Sequence, residues 1–251
     1  MVPNFLPPGP PGAARSPRGR RAGRLLRLVA GSLVLLVLVL SGCGAPSASA
    51  PAPSTAATAR PRVLIFGDSY TEGAGAVPTT KGYAYLVGEK LGWDVTVDGV
   101  GGTGYLAPGP KQQGTYLVRL RAAPAGPFDM VVLQGSSNDE RQPIDRLGPA
   151  VDSTLGAAQA RYPGARFFLM GPVPLYGSVP QTKREVNDTL RDHAAKHGVG
   201  FLDPVGEVWF AHGESKTMAN PTNGHPSNLG HERIRDRFVL DMARLTGTQV
   251  K

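Results

Sequence analysis

Residues Arg62 to Gly73 read RVLIFGDSYTEG, a short apolar run that breaks off at a glycine and two small polar side chains. Val63-Leu64-Ile65-Phe66 is rich in β-formers and uninterrupted, the pattern of a strand buried on both faces. Gly67-Asp68-Ser69 then forces a tight turn. A serine just past the carboxyl end of a central strand lies where open α/β sheets place their ligands. A helix beginning near Ser69 would also aim backbone N–H groups at whatever the serine meets. The same turn could instead cradle a phosphate or do no more than reverse the chain.

Working outward, the pattern repeats. Trp93–Val97, Asp129–Leu133, Arg166–Met170 and Val199–Leu202 are further short apolar segments, each closed by Gly, Pro or Asp. Helical patterns fall between or after them: Tyr83–Leu91, Thr115–Ala122, Ile144–Ala160, Thr182–His197 and Leu229–Leu245. Five strands alternating with helices predict a doubly wound sheet, that is, a flavodoxin-like three-layer α/β/α sandwich with a five-stranded parallel sheet. Gly99-Val-Gly-Gly-Thr-Gly104 fits the dinucleotide fingerprint G-x-G-x-x-G literally. However, Pro108 and Pro110 bar the helix that should follow, and Arg119–Pro124 has no acid where the ribose would need one.

The formal charge of +8 over 251 residues suggests an acidic partner until the charges are placed. Residues 1–42 carry six of the 27 basic residues (Arg15, Arg18, Arg20, Arg21, Arg24 and Arg27) and no acid, leaving 21 basic against 19 acidic, or +2. The basicity therefore belongs to the amino-terminal segment, and a nucleic-acid partner is not expected. The arginines lead into an apolar stretch that runs uncharged over the 13 residues Leu28–Leu40, short for a membrane span and suited to a signal hydrophobic region. It ends in Leu40-Ser41-Gly42-Cys43, which resembles the lipobox of bacterial lipoproteins, where the cysteine is acylated and becomes the first residue of the mature chain. An ordinary secretory signal or an uncleaved anchor is the alternative, and Arg20-Arg21 fits a twin-arginine signal poorly. Cys43 is the sole cysteine, so no intramolecular disulfide is available. The reading divides the chain into a signal peptide (1–42), an Ala/Pro/Ser/Thr tether (43–60) and one domain (61–251). The implied location is the outer face of a bacterial cytoplasmic membrane. At ~3.1 Å per residue, the tether would reach roughly 50 Å when extended.

Four loops supply the residue types that ester hydrolysis needs. Ser69 is a candidate nucleophile, inert unless a base takes its proton, and His225 in Gly224-His225-Pro226 is the candidate base. Gly102 offers a backbone N–H, Asn138 a side-chain amide and Ser69 its own N–H, three donors for an oxyanion. Here the chain resembles the SGNH, or GDSL, hydrolases. Gly67-Asp68-Ser69 matches their first block and Gly99–Gly102 their second. Gly135-Ser-Ser-Asn138-Asp139 matches the third with one extra residue, and His225-Pro226 the last. The resemblance implies a serine esterase acting through an acyl-enzyme on Ser69, with an ester as substrate and neither metal nor organic cofactor. A binding lipoprotein that has lost turnover, or an acyltransferase using the same site, would share these residues.

One position departs from the family. The aspartate usual three residues before the histidine is Thr222 here, with Asn223 beside it. A Ser–His dyad oriented by a backbone carbonyl, or a remote acid such as Asp203, would have to serve; otherwise Asp203 is a turn residue that caps the next segment. Of the other histidines, His193 and His197 lie one turn apart on a polar helix. That spacing suits a metal, but no third ligand is evident, so a solvated face is expected. His231 is expected to face solvent or a loop, and Trp209-Phe210 to line an acyl pocket or join the core.

The lipobox reading makes a direct prediction. Cys43 acylation should carry the mature protein into membranes, since two or more chains at ~0.8 kcal/mol per buried CH₂ anchor stably where one does not. Cys43→Ala should leave an uncleaved precursor or release soluble protein. Detergent-phase partitioning and mass spectrometry of the amino terminus check it; a mature terminus at another residue would refute it.

Overall fold

β1 (Arg62–Gly67) is the axis of the domain: Val63, Leu64, Ile65 and Phe66 are wholly buried. The computed structural model describes residues 59–135, 137–176 and 179–250. The signal segment, Cys43 and the tether as far as residue 58 lie outside the described residues. β1 pairs in parallel on one side with β2 (Asp94–Gly99) and on the other with β3 (Met130–Gln134). β4 (Arg166–Met170) and β5 (Gly200–Leu202) continue the sheet in the order β2-β1-β3-β4-β5. This is the doubly wound flavodoxin-like order, in which chain direction switches beside β1 and opens a crevice at the carboxyl ends of β1 and β3.

Successive side chains of β1 and β3 feed two different cores, as strand alternation requires. Val63, Ile65, Met130 and Val132 pack with residues of α2 (Tyr83–Leu91) and α7 (Asn228–Thr246). Leu64, Phe66, Val131 and Leu133 pack beneath the one-turn α3 (Tyr116–Arg119), α4 (Leu147–Arg161) and α5 (Gln181–Lys196). α2 stops where Gly92 takes φ 68°, a left-handed cap, and α7 starts where the Ser227 side chain accepts from Gly230 N–H. Two further single turns are α1 (Ser69–Glu72) and α6 (Ser215–Met218). α3 is half the length expected of Thr115–Ala122. Arg60, read as the end of the tether, is docked instead: its guanidinium donates to the carbonyls of Gly88, Gly92 and Trp93, closing the end of α2. Among the described residues no helix is long and apolar enough to cross a membrane.

Two expectations left open are decided here. Trp209 and Phe210 join the core, buried among α2 and α7. His231 does not face solvent; it is fully buried against the loop after α1. Its Nδ1 accepts the Tyr83 N–H at 3.2 Å and its Nε2–H donates to the Ala74 carbonyl at 3.1 Å. This neutral tautomer joins α7 to the start of α2, with the Tyr83 ring stacked at 6.4 Å. A second ring proton would point at an N–H that is already a donor, and burial disfavours the charge, so the imidazole is held down to about 4.

Because its folded value lies below the unfolded one of ~6.5, the contribution of neutral His231 is complete above pH ~6.5 and lost as pH falls toward ~4. His231→Gln should remove this dependence, flattening the pH profile of urea stability in that window by on the order of 2–3 kcal/mol. An unchanged slope would show that the imidazole titrates normally in the fold.

Candidate active site

The turn after β1 delivers Ser69 to the crevice. Asp68 caps α1, its carboxylate accepting the Tyr70 N–H at 2.9 Å, and Gly73 closes the turn at φ 88°. α1 is a single turn of four residues, so the helix-terminus field expected at Ser69 is that of one turn only. Ser69 is 9% exposed, enough to be reached and too little to be merely a surface hydroxyl.

His225 arrives from the other side of the chain. Its Nε2 lies 3.0 Å from Ser69 Oγ and its Nδ1 lies 3.2 Å from the Asn223 carbonyl. A carbonyl oxygen can only accept, so Nδ1 carries the proton and Nε2 is left as an acceptor for the serine hydroxyl. The loop fixes this arrangement through backbone contacts. Asn223 Oδ1 accepts His225 N–H, and the His225 carbonyl accepts Asn220 N–H at 2.7 Å. Asn220 Nδ2 donates to the Gly75 carbonyl, and the Tyr176 hydroxyl donates to the Gly224 carbonyl at 2.9 Å. Thr222, at the family's acid position, is exposed and donates its backbone N–H to Asn220 Oδ1. Asp203 is a turn cap: its carboxylate accepts from Asn187 Nδ2, Arg191 Nε and Gly206 N–H. The orienting acceptor is thus the Asn223 carbonyl, as in the dyad alternative.

Gly102 and Asn138 come from the loops after β2 and β3. Gly102 sits at φ 78°, and a Cβ there would lie 2.4 Å from Pro110 Cδ, so both conformation and space require glycine. Asn138 Nδ2 donates to the Thr103 carbonyl at 2.9 Å and approaches Asp68 Oδ2 at 3.5 Å. Both residues border a cavity of about 770 Å³, whose lining also includes Glu140, Arg141, Gln142 and Thr182. Asp139, quoted in the third sequence block without a role, accepts the N–H groups of Tyr105, Leu106 and Ala107 at 2.8–3.0 Å and so shapes the loop that follows Gly102. Gln134 was not singled out either; its Oε1 accepts from Asp68 N–H and Thr71 Oγ. Its only sequence signal was a polar residue closing an apolar strand.

Comparison with known proteins gives the family. The model of the GDSL-like lipase/acylhydrolase family matches residues 65–233, and the chain belongs to that family. No curated protein matches the chain. Among solved structures, a protein from Lactobacillus plantarum superposes with a TM-score of 0.60 at 18% identity, covering 74% of this chain and 97% of that one. A member of the lipolytic G-D-S-L family from Veillonella parvula gives 0.56 at 17%, covering 73% and 98%. Est24, a carbohydrate acetylesterase from Sinorhizobium meliloti, gives 0.55 at 16%, covering 74% and 100%. At these identities the likeness concerns the fold.

Burial raises the Asp68 carboxyl to about 6, against the opposing hydrogen bonds from Tyr70 N–H and Gln134 and with help from the nearby Asp139 charge. A raised carboxylate favours the fold while protonated, below pH ~4, and that contribution is lost as pH rises through ~6. Asp68→Asn keeps the capping oxygen without the charge. Its stability relative to wild type should therefore improve between pH 4 and 7.5, by on the order of 2–3 kcal/mol in urea denaturation. A constant difference across that range would mean that Asp68 is not desolvated as described.

Proposed function

We propose that this chain is an esterase with a Ser69–His225 dyad, exported and held at the membrane through lipid on Cys43. The observation that carries the reading is the pair of hydrogen bonds on His225, which gives one imidazole the tautomer a general base needs without a carboxylate. Ser69 Oγ attacks the ester carbonyl carbon while its proton passes to His225 Nε2. The tetrahedral oxyanion is met by the N–H groups of Ser69 and Gly102 and by Asn138 Nδ2, whose long approach to Asp68 gives way. Collapse breaks the bond to the alcohol, and His225 returns its proton to that leaving oxygen. Water, deprotonated by His225, then attacks the acyl-enzyme, releasing the acid and restoring the serine.

The polar side chains lining the 770 Å³ cavity, Glu140, Arg141, Gln142 and Thr182, support an ester with a hydroxylated alcohol part and a short acyl group, such as an acetylated glycan. The carbohydrate acetylesterase among the structural neighbours is in keeping with this. The engaged Ser69–His225 pair argues against a binding protein that has lost turnover.

A fluorophosphonate should label the wild-type chain on Ser69, and Ser69→Ala should be unlabelled and inactive while folding normally. On a panel of nitrophenyl esters beside acetylated sugars, acetyl substrates should exceed long acyl chains in kcat/KM. Near-wild-type turnover by Ser69→Ala would remove the mechanism; a preference for long chains would leave the mechanism and overturn the substrate class.

A further inference from the structure

His193 and His197, expected on a solvated face without a third ligand, have one. Asp152 of α4 reaches across to the last turn of α5, placing Oδ1 2.5 Å from His193 Nδ1 and 2.7 Å from His197 Nε2. The three ligand atoms lie within 4.8 Å of one another, and the side chains are only 20–27% exposed. Two matched pairs four residues apart build the arrangement: His193 and His197 on α5, Gly148 and Asp152 on α4. Gly148 is a costly residue inside a helix, and here it makes the seat for a ring, since a Cβ would lie 2.4 Å from His193 Nε2. The remaining carboxylate oxygen, Oδ2, is taken by Lys196 Nζ at 2.6 Å.

We infer that Asp152, His193 and His197 form a binding site for a divalent transition-metal ion, zinc being the best match, which pins the end of α5 to α4. Two imidazoles and one carboxylate are a borderline donor set that suits zinc, with water as the fourth ligand. Metal–ligand bonds of ~2.0–2.1 Å place tetrahedral ligands about 3.3 Å apart, so each imidazole–carboxylate contact has to lengthen by less than about 1 Å to admit the ion. The His193 ring is packed on Gly148, while the second oxygen of Asp152 is occupied by lysine. Lys196 is itself 58% exposed, a competitor that can swing into solvent when a cation arrives. The site lies at the end of α5, where the chain turns toward the start of β5, and so at the edge of the sheet opposite Ser69. Its role is to fix two helices, and it takes no part in ester chemistry.

The test uses the purified full-length chain, stripped with a chelator and titrated with Co²⁺ and then Zn²⁺. Tetrahedral d–d bands should appear with Co²⁺ and be displaced by Zn²⁺. Zn²⁺ at a hundredfold excess over its Kd should raise Tm by about 5–10 °C. Asp152→Asn and the double variant His193→Gln/His197→Gln, checked for folding by circular dichroism, should bind at least about tenfold more weakly. Lys196→Ala should bind more tightly, whereas a simple ion-pair cluster would gain no metal affinity from that change. Absence of the bands in wild type, or equal bands in the double variant, would overturn the proposal, the latter showing an adventitious ion only.

Discussion

The buried guanidinium of Arg119 holds together the ends of β1 and β2 beside the crevice. One nitrogen donates to the carbonyl of Gly67, the last residue of β1, at 2.7 Å and to Thr103 Oγ at 2.8 Å. The other donates to the carboxylate and carbonyl of Asp98, near the end of β2, at 2.6 and 3.1 Å. The plane lies over the Phe66 ring at 4.3 Å. A buried charge costs several kcal/mol unless its donors are met, and here four acceptors and an aromatic face meet them. A lysine could not span these positions, because its charge is a point rather than a fork. The carbonyl of Gly67 sits two residues before Ser69, and Thr103 follows Gly102. The same side chain therefore sets the spacing between the serine and the glycine loop.

Around that anchor, the acidic residues act through shape more than charge. Asp139 spends its carboxylate on three backbone N–H groups, and Asp68 spends one oxygen on a cap. Neither touches the imidazole. A carbonyl dipole in place of a carboxylate fixes the tautomer equally well but offers less to an imidazolium once it forms. Buried Asp68 and buried His231 also pull stability in opposite directions over the same range of pH, so that each masks the other in the whole protein.

Legibility followed from how local each signal was. β1 and β4 were readable because an unbroken apolar run has few other uses, and α2 because Gly92 marks its end. The site residues were readable because each follows a strand, and topology brings strand ends together. What failed was what depends on a distant partner. His231 reads as a polar residue at a helix start, and nothing local says that Tyr83 and Ala74 will enclose it. Asp152 lies more than 40 residues before the histidines it meets, on a helix whose pattern gives no hint of which face turns toward α5. Nothing local to Arg119 signals that its guanidinium will reach the ends of two strands.

The docking of Arg60 has a geometric consequence. The chain enters the central strand from the edge of the sheet where α2 ends, and the guanidinium fastens it there before β1 begins. β1 spans about 20 Å at ~3.3 Å per residue, and Ser69 lies beyond its far end. Whatever holds this domain by its leading segment therefore holds it by the base, with the crevice at the opposite pole.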